Sequence, residues 1–350
     1  MRYSLLLPIG HADPEQVAVF GRLVQRTSAH RLWLAQSQVY DHHHLAAWMA
    51  GAGVRVPVGF GVSLMPHRTP YQAALEARSI ARATGEPVVA GYGPGAVATQ
   101  EALMGRPYRS QLGASREYAR IVRKLLAGET TDAEGEDFPL TAGLFDVPEP
   151  PVVPRPEVGL GVLRERMAKV AGEVADRAIT WMSPAEHLGN SLIPAIRGAS
   201  RDLPDPAGVT AIVPVALARQ GRDPRRLAAA ACGRHVQQPH YQAALQGAGI
   251  RVGGRGDPAD ADRLLDSGVF LYGDTDRIRA GLNRFASAGV DEVVLNMTGV
   301  GLLHGLRQAA ADLCEVFAVI PPEESHPLPP VTAPGGRAPT HTTEKEGITL

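Results

Sequence analysis

Cysteine is scarce in this chain of 350 residues. Cys232 and Cys314 lie far apart and neither has metal-ligand spacing, which argues against a disulfide framework and a thiolate metal site. A reduced, cytoplasmic setting is the economical expectation. Lysine is scarcer than arginine, present only as Lys124, Lys169 and Lys345, so Schiff-base chemistry has few candidates. An excess of charge of one sign is missing too. With a net charge of −1 there is no general field for nucleic acid or an anionic membrane, which leaves a small molecule or a short peptide as partner. No apolar run reaches membrane-spanning length, and Met1 leads directly into an apolar strand with no cleavage signal.

What is present is organised around Val56 to Gly95. Val56, Val58, Phe60 and Val62 alternate with Gly59 and Gly61, a strand pattern in which backbone fills part of one face and something flat can approach. Ala73, Ala74, Ala77, Ile80 and Ala81 then recur at helical spacing after Pro70, and Gly85 closes the helix. Pro87 to Ala90 form a short apolar strand that ends in Gly91-Tyr92-Gly93-Pro94-Gly95. This is a βαβ unit, whose strands must be parallel. Similar alternation predicts strands at Tyr3–Leu7, His30–Ala35, Glu157–Val162, Ala178–Trp181, Val209–Ala218 and Glu292–Met297. Helices are expected at Pro14–Gln25, Arg116–Ala127, Arg164–Val174 and Asp276–Ala286, with further helix from Ala185 and from Asp223-Pro224 to Gly247.

Four stretches in order resemble the luciferase-like monooxygenase superfamily. They are the Val56–Gly95 unit, Tyr118–Gly128 with Glu134-Gly135-Glu136-Asp137-Phe138, Gly159–Val162 with Met167–Asp176, and Tyr272-Gly273-Asp274 with Ala288–Glu292. The resemblance covers roughly Met1 to Ile320 and implies an α/β fold, a (β/α)8 TIM barrel that binds a flavin or deazaflavin. Insertions at the C-terminal face would shape the substrate pocket. Residues 1–321 would form this single barrel, and 322–350, rich in proline, charge and threonine, a disordered tail. A homodimer is implied as well.

Where the family often has a carboxylate and histidines at the end of its second strand, this chain has Gln36, Ser37 and Gln38, neutral hydrogen-bonding groups. Asp41-His42-His43-His44 follows on what reads as a flexible loop. Either His42 or His43 is a proton donor, or the run is simply solvated, and no metal is expected because adjacent histidines do not readily face one ion. His67 and Tyr92 are the other donor candidates. The resemblance places a non-prolyl cis peptide under the cofactor's central ring at Gly61-Val62 or Val62-Ser63. The cofactor-binding set is then Gln36, Ser37, Gly61, Val62, Ser63, Gly91, Gly93, Gly159, Gly161, Val162, Arg164, Trp181 and Ser183. Gly159–Val162 before a helix amino terminus reads as a phosphate cradle or as a plain βα turn. Arg68, Arg106 and Tyr108 are candidate substrate contacts.

The deazaflavin-dependent branch is the closer likeness. It implies a reductase that uses coenzyme F420 as F420H2, with a hydride passing to an activated C=C bond, such as a dehydroamino acid in a modified peptide of the lanthipeptide type. The alternatives are an FMN-dependent monooxygenase of a small molecule and a flavin-binding barrel without turnover.

Overall fold

The computed structural model describes residues 1–8, 13–129, 135–139, 154–254 and 256–320. The strands are β1 (Arg2–Leu6), β2 (Leu32–Leu34), β3 (Val58–Leu64), β4 (Val88–Gly93), β5 (Glu157–Val162), β6 (Arg177–Trp181), β7 (Gly208–Leu217), β8 (Leu271–Gly273) and β9 (Glu292–Asn296). All pair in parallel. β1 to β7 and β9 close an eight-stranded barrel through the β6–β7 and β1–β9 pairs, while β8 adds only to the upper end of β7. The (β/α)8 architecture expected from the sequence is therefore the observed one. The tail 322–350, the proline-rich Val147–Pro151 and Glu134 of the Glu134–Phe138 stretch lie outside the described residues.

The helices are α1 (Pro14–Arg26), α2 (His42–Gly51), α3 (Pro70–Thr84), α4 (Val97–Met104), α5 (Gln111–Leu126), α6 (Glu165–Val174), α7 (Ala185–His187), α8 (Ile193–Ala199), α9 (Pro224–Val236), α10 (Pro239–Gly247), α11 (Ala259–Asp266), α12 (Thr275–Ala288), α13 (Thr298–His304) and α14 (Leu306–Val319). Local chemistry sets several boundaries. Thr69 Oγ1 accepts the Gln72 amide ahead of Pro70, and Gly85 ends α3 in the left-handed conformation that costs glycine nothing. The stripe Ala73, Ala74, Ala77, Ile80 and Ala81 is buried, as its spacing predicts. α5 begins earlier than the apolar spacing indicates because Ser110 Oγ caps Gly113 N. The segment after Ala185 is not one regular helix: a π turn, Leu188–Leu192, joins α7 to α8. The histidine run is not loop; Asp41 accepts the amides of His43 and His44 and starts α2 there.

Most of the core lies between barrel and helices. The barrel interior is filled in two layers. Leu6, Trp33, Val89, Ile179, Ile212 and Val294 form an apolar plug across its middle. Below it, at the N-terminal ends of the strands, Glu292 is fully buried. It accepts hydrogen bonds from Ser4 Oγ at 2.6 Å and Trp33 Nε1 at 2.7 Å, and its other neighbours are Arg31 Nε at 3.2 Å and Arg177 NH1 at 3.4 Å. Arg177 also donates to Glu157 at 2.7 Å. Among the described residues no helix is long and apolar enough to cross a membrane, and Cys232 and Cys314 are both free.

Burial alone would raise the Glu292 carboxyl, but Arg31 and Arg177, with the Ser4 and Trp33 hydrogen bonds, hold it below the usual carboxylate range. Its contribution to stability is therefore complete above an unfolded-state pKa of about 4.3 and is lost as pH falls through the depressed folded value. Glu292→Ala takes the carboxylate partner from buried Arg31 and leaves Arg177 with Glu157 alone, and should lower the unfolding free energy by roughly 3 to 5 kcal/mol. Urea unfolding followed by circular dichroism measures this. Full stability in the variant would show that the network is dispensable.

Candidate active site at the barrel mouth

β3 and β4 pair in register at Phe60↔Ala90 and again at Ser63↔Tyr92, so β3 holds one residue more than its partner between those points. This bulge contains the cis peptide Gly61-Val62, at the first of the two positions named from the sequence. Because of the extra residue, Gly61 and Val62 both line the interior, with Val62 packing on the plug, whereas Phe60 and Ser63 face the helices. Gly61, Val62, Gly161, Gln36 and Trp181 are all partly exposed above the plug and form the floor of the mouth. The Gln36 amide ties this floor together: its Oε1 accepts Leu64 N at 3.4 Å and its Nε2 donates to Ser37 O at 2.9 Å. Ser37 Oγ in turn accepts the amides of Val39 and Tyr40.

The glycines of this floor divide into two groups. A methyl group on Gly59 would sit 2.5 Å from the Trp33 indole, and one on Gly159 would sit 2.7 Å from Ile179. On Gly91 it would lie 2.2 Å from the Phe60 carbonyl oxygen, and on Gly61 3.0 Å from Ile212. The flat group that approaches Gly59 is thus the protein's own indole. Gly93 and Gly161 sit higher, facing Val62; a methyl group on Gly93 would meet it at 2.9 Å, and only Gly161, with 3.5 Å of clearance, is open. Val162 turns its side chain to the outer core.

Behind β3, on the helix side, a buried polar cluster holds most of the residues singled out as donors. His42 Nε2 is 2.7 Å from Ser63 Oγ, and the His42 and His43 rings, tilted at 37° with centroids 4.3 Å apart, rest on Phe60. Arg68 bridges Asp41 at 3.1 Å and Glu76 at 2.9 Å, so its guanidinium is already partnered. Burial, then His43, holds His42 well below the ordinary imidazole value and keeps it neutral. Ligand atoms of Asp41, His42 and His43 lie within 4.8 Å of one another. The positive end of α2 and the Arg68 charge both oppose a cation there. Tyr92 is fully buried, donates to Ala73 O at 3.2 Å and has its hydroxyl pushed up by burial. The structure therefore does not bring His42, His43, Ser63 or Tyr92 to the mouth. His67 is exposed on the turn after β3, its imidazole lowered by partial burial and by Arg68. Tyr108 is buried against Phe138 at 5.5 Å, and Arg106 pairs with Asp137 at 3.2 Å.

Across the mouth, α9 runs from α13, where the Leu227 carbonyl lies over Gly299, to Trp181 at the end of β6. Its last turn sets His235 edge-on to Trp181 at 5.3 Å and to Tyr241 of α10 at 5.0 Å. His240 feels the charge of Arg164 at the top of β5, so α9 and α10 overhang the arc from β9 to β5. Arg164 is exposed at the N-cap of α6, whose first amides have no side-chain cap; Glu165 in that turn carries an opposing charge. Met182 holds φ at 55° and turns the chain straight after Trp181, an arrangement costing roughly 1 to 3 kcal/mol that clusters at functional sites. Pro184, not Ser183, is the cap of α7. His235 and Tyr241 complete the mouth although sequence spacing did not select them. The available signal was a histidine in the last turn of a helix followed by His240-Tyr241.

A closed parallel barrel with a backbone-lined floor, a half-open rim and a glycine turn ahead of a helix terminus defines a (β/α)8 protein with its candidate site at the C-terminal face. The chain belongs to the luciferase-like monooxygenase family, whose model matches residues 1–292. No curated protein matches it. Among solved structures, the coenzyme F420-dependent tetrahydromethanopterin reductase from Methanopyrus kandleri aligns with TM-score 0.67 at 17% identity, covering 86% of this chain and 96% of that one. The EDTA monooxygenase from Chelativorans sp. BNC1 aligns with TM-score 0.68 at 15% identity, covering 91% and 93%. The FMN-bound oxygenating constituent of 3,6-diketocamphane monooxygenase from Pseudomonas putida gives 0.65 at 17%, covering 93% and 97%. At such identities the likeness is one of fold.

The two groups of glycines should respond differently. Gly91→Ala should cost roughly 1 to 3 kcal/mol of stability through overpacking. Gly161→Ala should leave the thermal midpoint within a few degrees and weaken flavin or deazaflavin binding. Calorimetry and a binding titration on both variants distinguish fold glycines from site glycines; equal loss of stability in both would remove the distinction.

Proposed function

We propose that the protein is an F420H2-dependent reductase that delivers a hydride to an activated C=C bond, with a dehydroamino acid in a modified peptide as the substrate class. The observation that carries this reading is the neutrality of the floor: Gln36, Gly61, Val62, Gly161 and Trp181 offer no acid, base or nucleophile, so the redox chemistry must come from a bound cofactor. The likeness to an F420-dependent reductase supports the choice of cofactor, as does the sequence resemblance to the deazaflavin branch. Gln36, Gly61-Val62, Gly93, Gly161 and Trp181 would hold its ring system. The capless amides of α6 with Arg164 would take its phosphate. When bound, the reduced deazaflavin supplies a hydride to an electron-poor carbon, the β-carbon of a dehydroamino acid.

The chain's own residues do the rest. The Trp33 and Ile179 plug closes the interior beneath the floor to water, and α9 and α10 narrow the mouth above it. His67, exposed beside the bulge, holds the proton for the α-carbon. Val39 and Tyr40 ahead of α2 and Trp48 towards its end, exposed by 57%, 43% and 41%, support a homodimer through that helix. The second reading, an FMN monooxygenase, rests on the FMN-bound likeness.

Titration of the purified protein with F420 and with FMN, followed by cofactor fluorescence, should show tighter binding of the deazaflavin. Turnover of a dehydroalanine-containing peptide with F420H2 should consume no oxygen. Tighter FMN binding with rapid oxygen uptake by its reduced form would replace this reading with the monooxygenase. His67→Gln should lower kcat roughly 100-fold and remove the activity limb that, in the parent protein, rises as pH falls through a value below the ordinary histidine range. An unchanged pH profile would take His67 out of the mechanism.

A further inference from the structure

Two buried polar atoms at the mouth have no partner: Trp181 Nε1 and His235 Nδ1. They come from different elements, β6 and α9, and the geometry brings them together, since the two rings meet edge-on at 5.3 Å. A buried polar group left unsatisfied is destabilising, and here two such groups lie on neighbouring rings. Their chemistry is complementary. An indole N–H only donates, while a neutral imidazole nitrogen accepts when its other nitrogen carries the proton. Burial, with the neighbouring His240 and Arg234, pushes His235 down to about 4, so the ring is neutral near pH 7 and suits recognition better than proton delivery. Tyr241 also packs edge-on to the imidazole, at 5.0 Å, and helps to fix its plane.

We propose that Trp181 Nε1–H and His235 Nδ1 form a two-point clamp for a ligand edge that presents a carbonyl oxygen beside an N–H. The carbonyl accepts from Trp181 and the N–H donates to His235. Two ligands of the proposed reaction carry such an edge: the pyrimidinedione of the flavin or deazaflavin ring, and an extended residue of a peptide substrate, whose own N–H and C=O point to the same side. The assignment rests on the cofactor reading given above, and it makes His235 a positioning residue.

The test uses full-length protein labelled with ¹⁵N in the tryptophan indoles. Trp33 Nε1 is committed to Glu292 and Trp48 is largely exposed, so the Trp181 cross-peak is separable and is assigned by its loss in Trp181→Phe. F420, FMN and N-acetyl-dehydroalanine methylamide are added separately. A downfield shift of the Trp181 N–H with either cofactor assigns the clamp to the ring, and a shift with the amide alone assigns it to the substrate. His235→Phe should weaken the same ligand about tenfold, and His235→Asn, which restores an acceptor near the Nδ1 position, should recover most of that loss. An unmoved cross-peak with all three probes overturns the clamp, as does unchanged affinity in Trp181→Phe and His235→Phe. If neither cofactor binds, the cofactor reading fails separately, and the amide titration still decides the clamp.

Discussion

One fully buried carboxylate, Glu292, organises the closed end of the barrel. Through Ser4, Arg31, Trp33 and Arg177 it reaches β1, the approach to β2, β2 itself and β6, and Arg177 extends the network to Glu157 on β5. A barrel can close only if its strands keep a fixed stagger, and directional bonds among charged groups inside it specify that stagger more sharply than apolar packing does. Trp33 is the hinge between the two layers. Its N–H satisfies the carboxylate below, while its ring fills the space above Gly59 and helps build the plug. The mouth therefore rests on a base fixed independently of whatever binds above it.

That separation shapes the functional reading. The polar groups with the strongest mutual ties lie at the closed end or in the layer behind β3, where Asp41, Arg68 and Glu76 hold the turn of α2 against α3. The floor of the mouth is poor in charge, and its rim bears His67, His235, His240 and Arg164. Such a lining suits binding and orientation and holds no redox group of its own.

Much of the barrel was legible in the sequence because its signals are local. The small-residue stripe of α3, the glycine that ends it, the βα turn at Gly161 and the Asp223-Pro224 helix start each depend on a few neighbouring residues. The fold class and the bulge position followed from resemblance and held. The facing of side chains was not legible. The pattern could not show that Asp41 would cap a helix and turn His42 and His43 inward, or that Tyr92 would point away from the interior. Nor could it show that the space above Gly59 and Gly159 belongs to Trp33 and Ile179. These are long-range facts. The path of α9 across the mouth, which brings His235 to Trp181, is another, since it depends on packing against α13 rather than on the helix's own periodicity.

The extra residue in β3 has a consequence for comparing this chain with its relatives. Before the bulge odd-numbered residues face inward, Gly59 and Gly61; after it the parity changes, and Ser63 faces outward. What identifies a position here is therefore a count along the strand and not a residue type. At identities near 17%, an alignment that slips a single gap across Gly61-Val62 would exchange the partner of His42 for the floor of the mouth. Superposed backbones, not matched letters, are the sound basis for carrying any function across this strand.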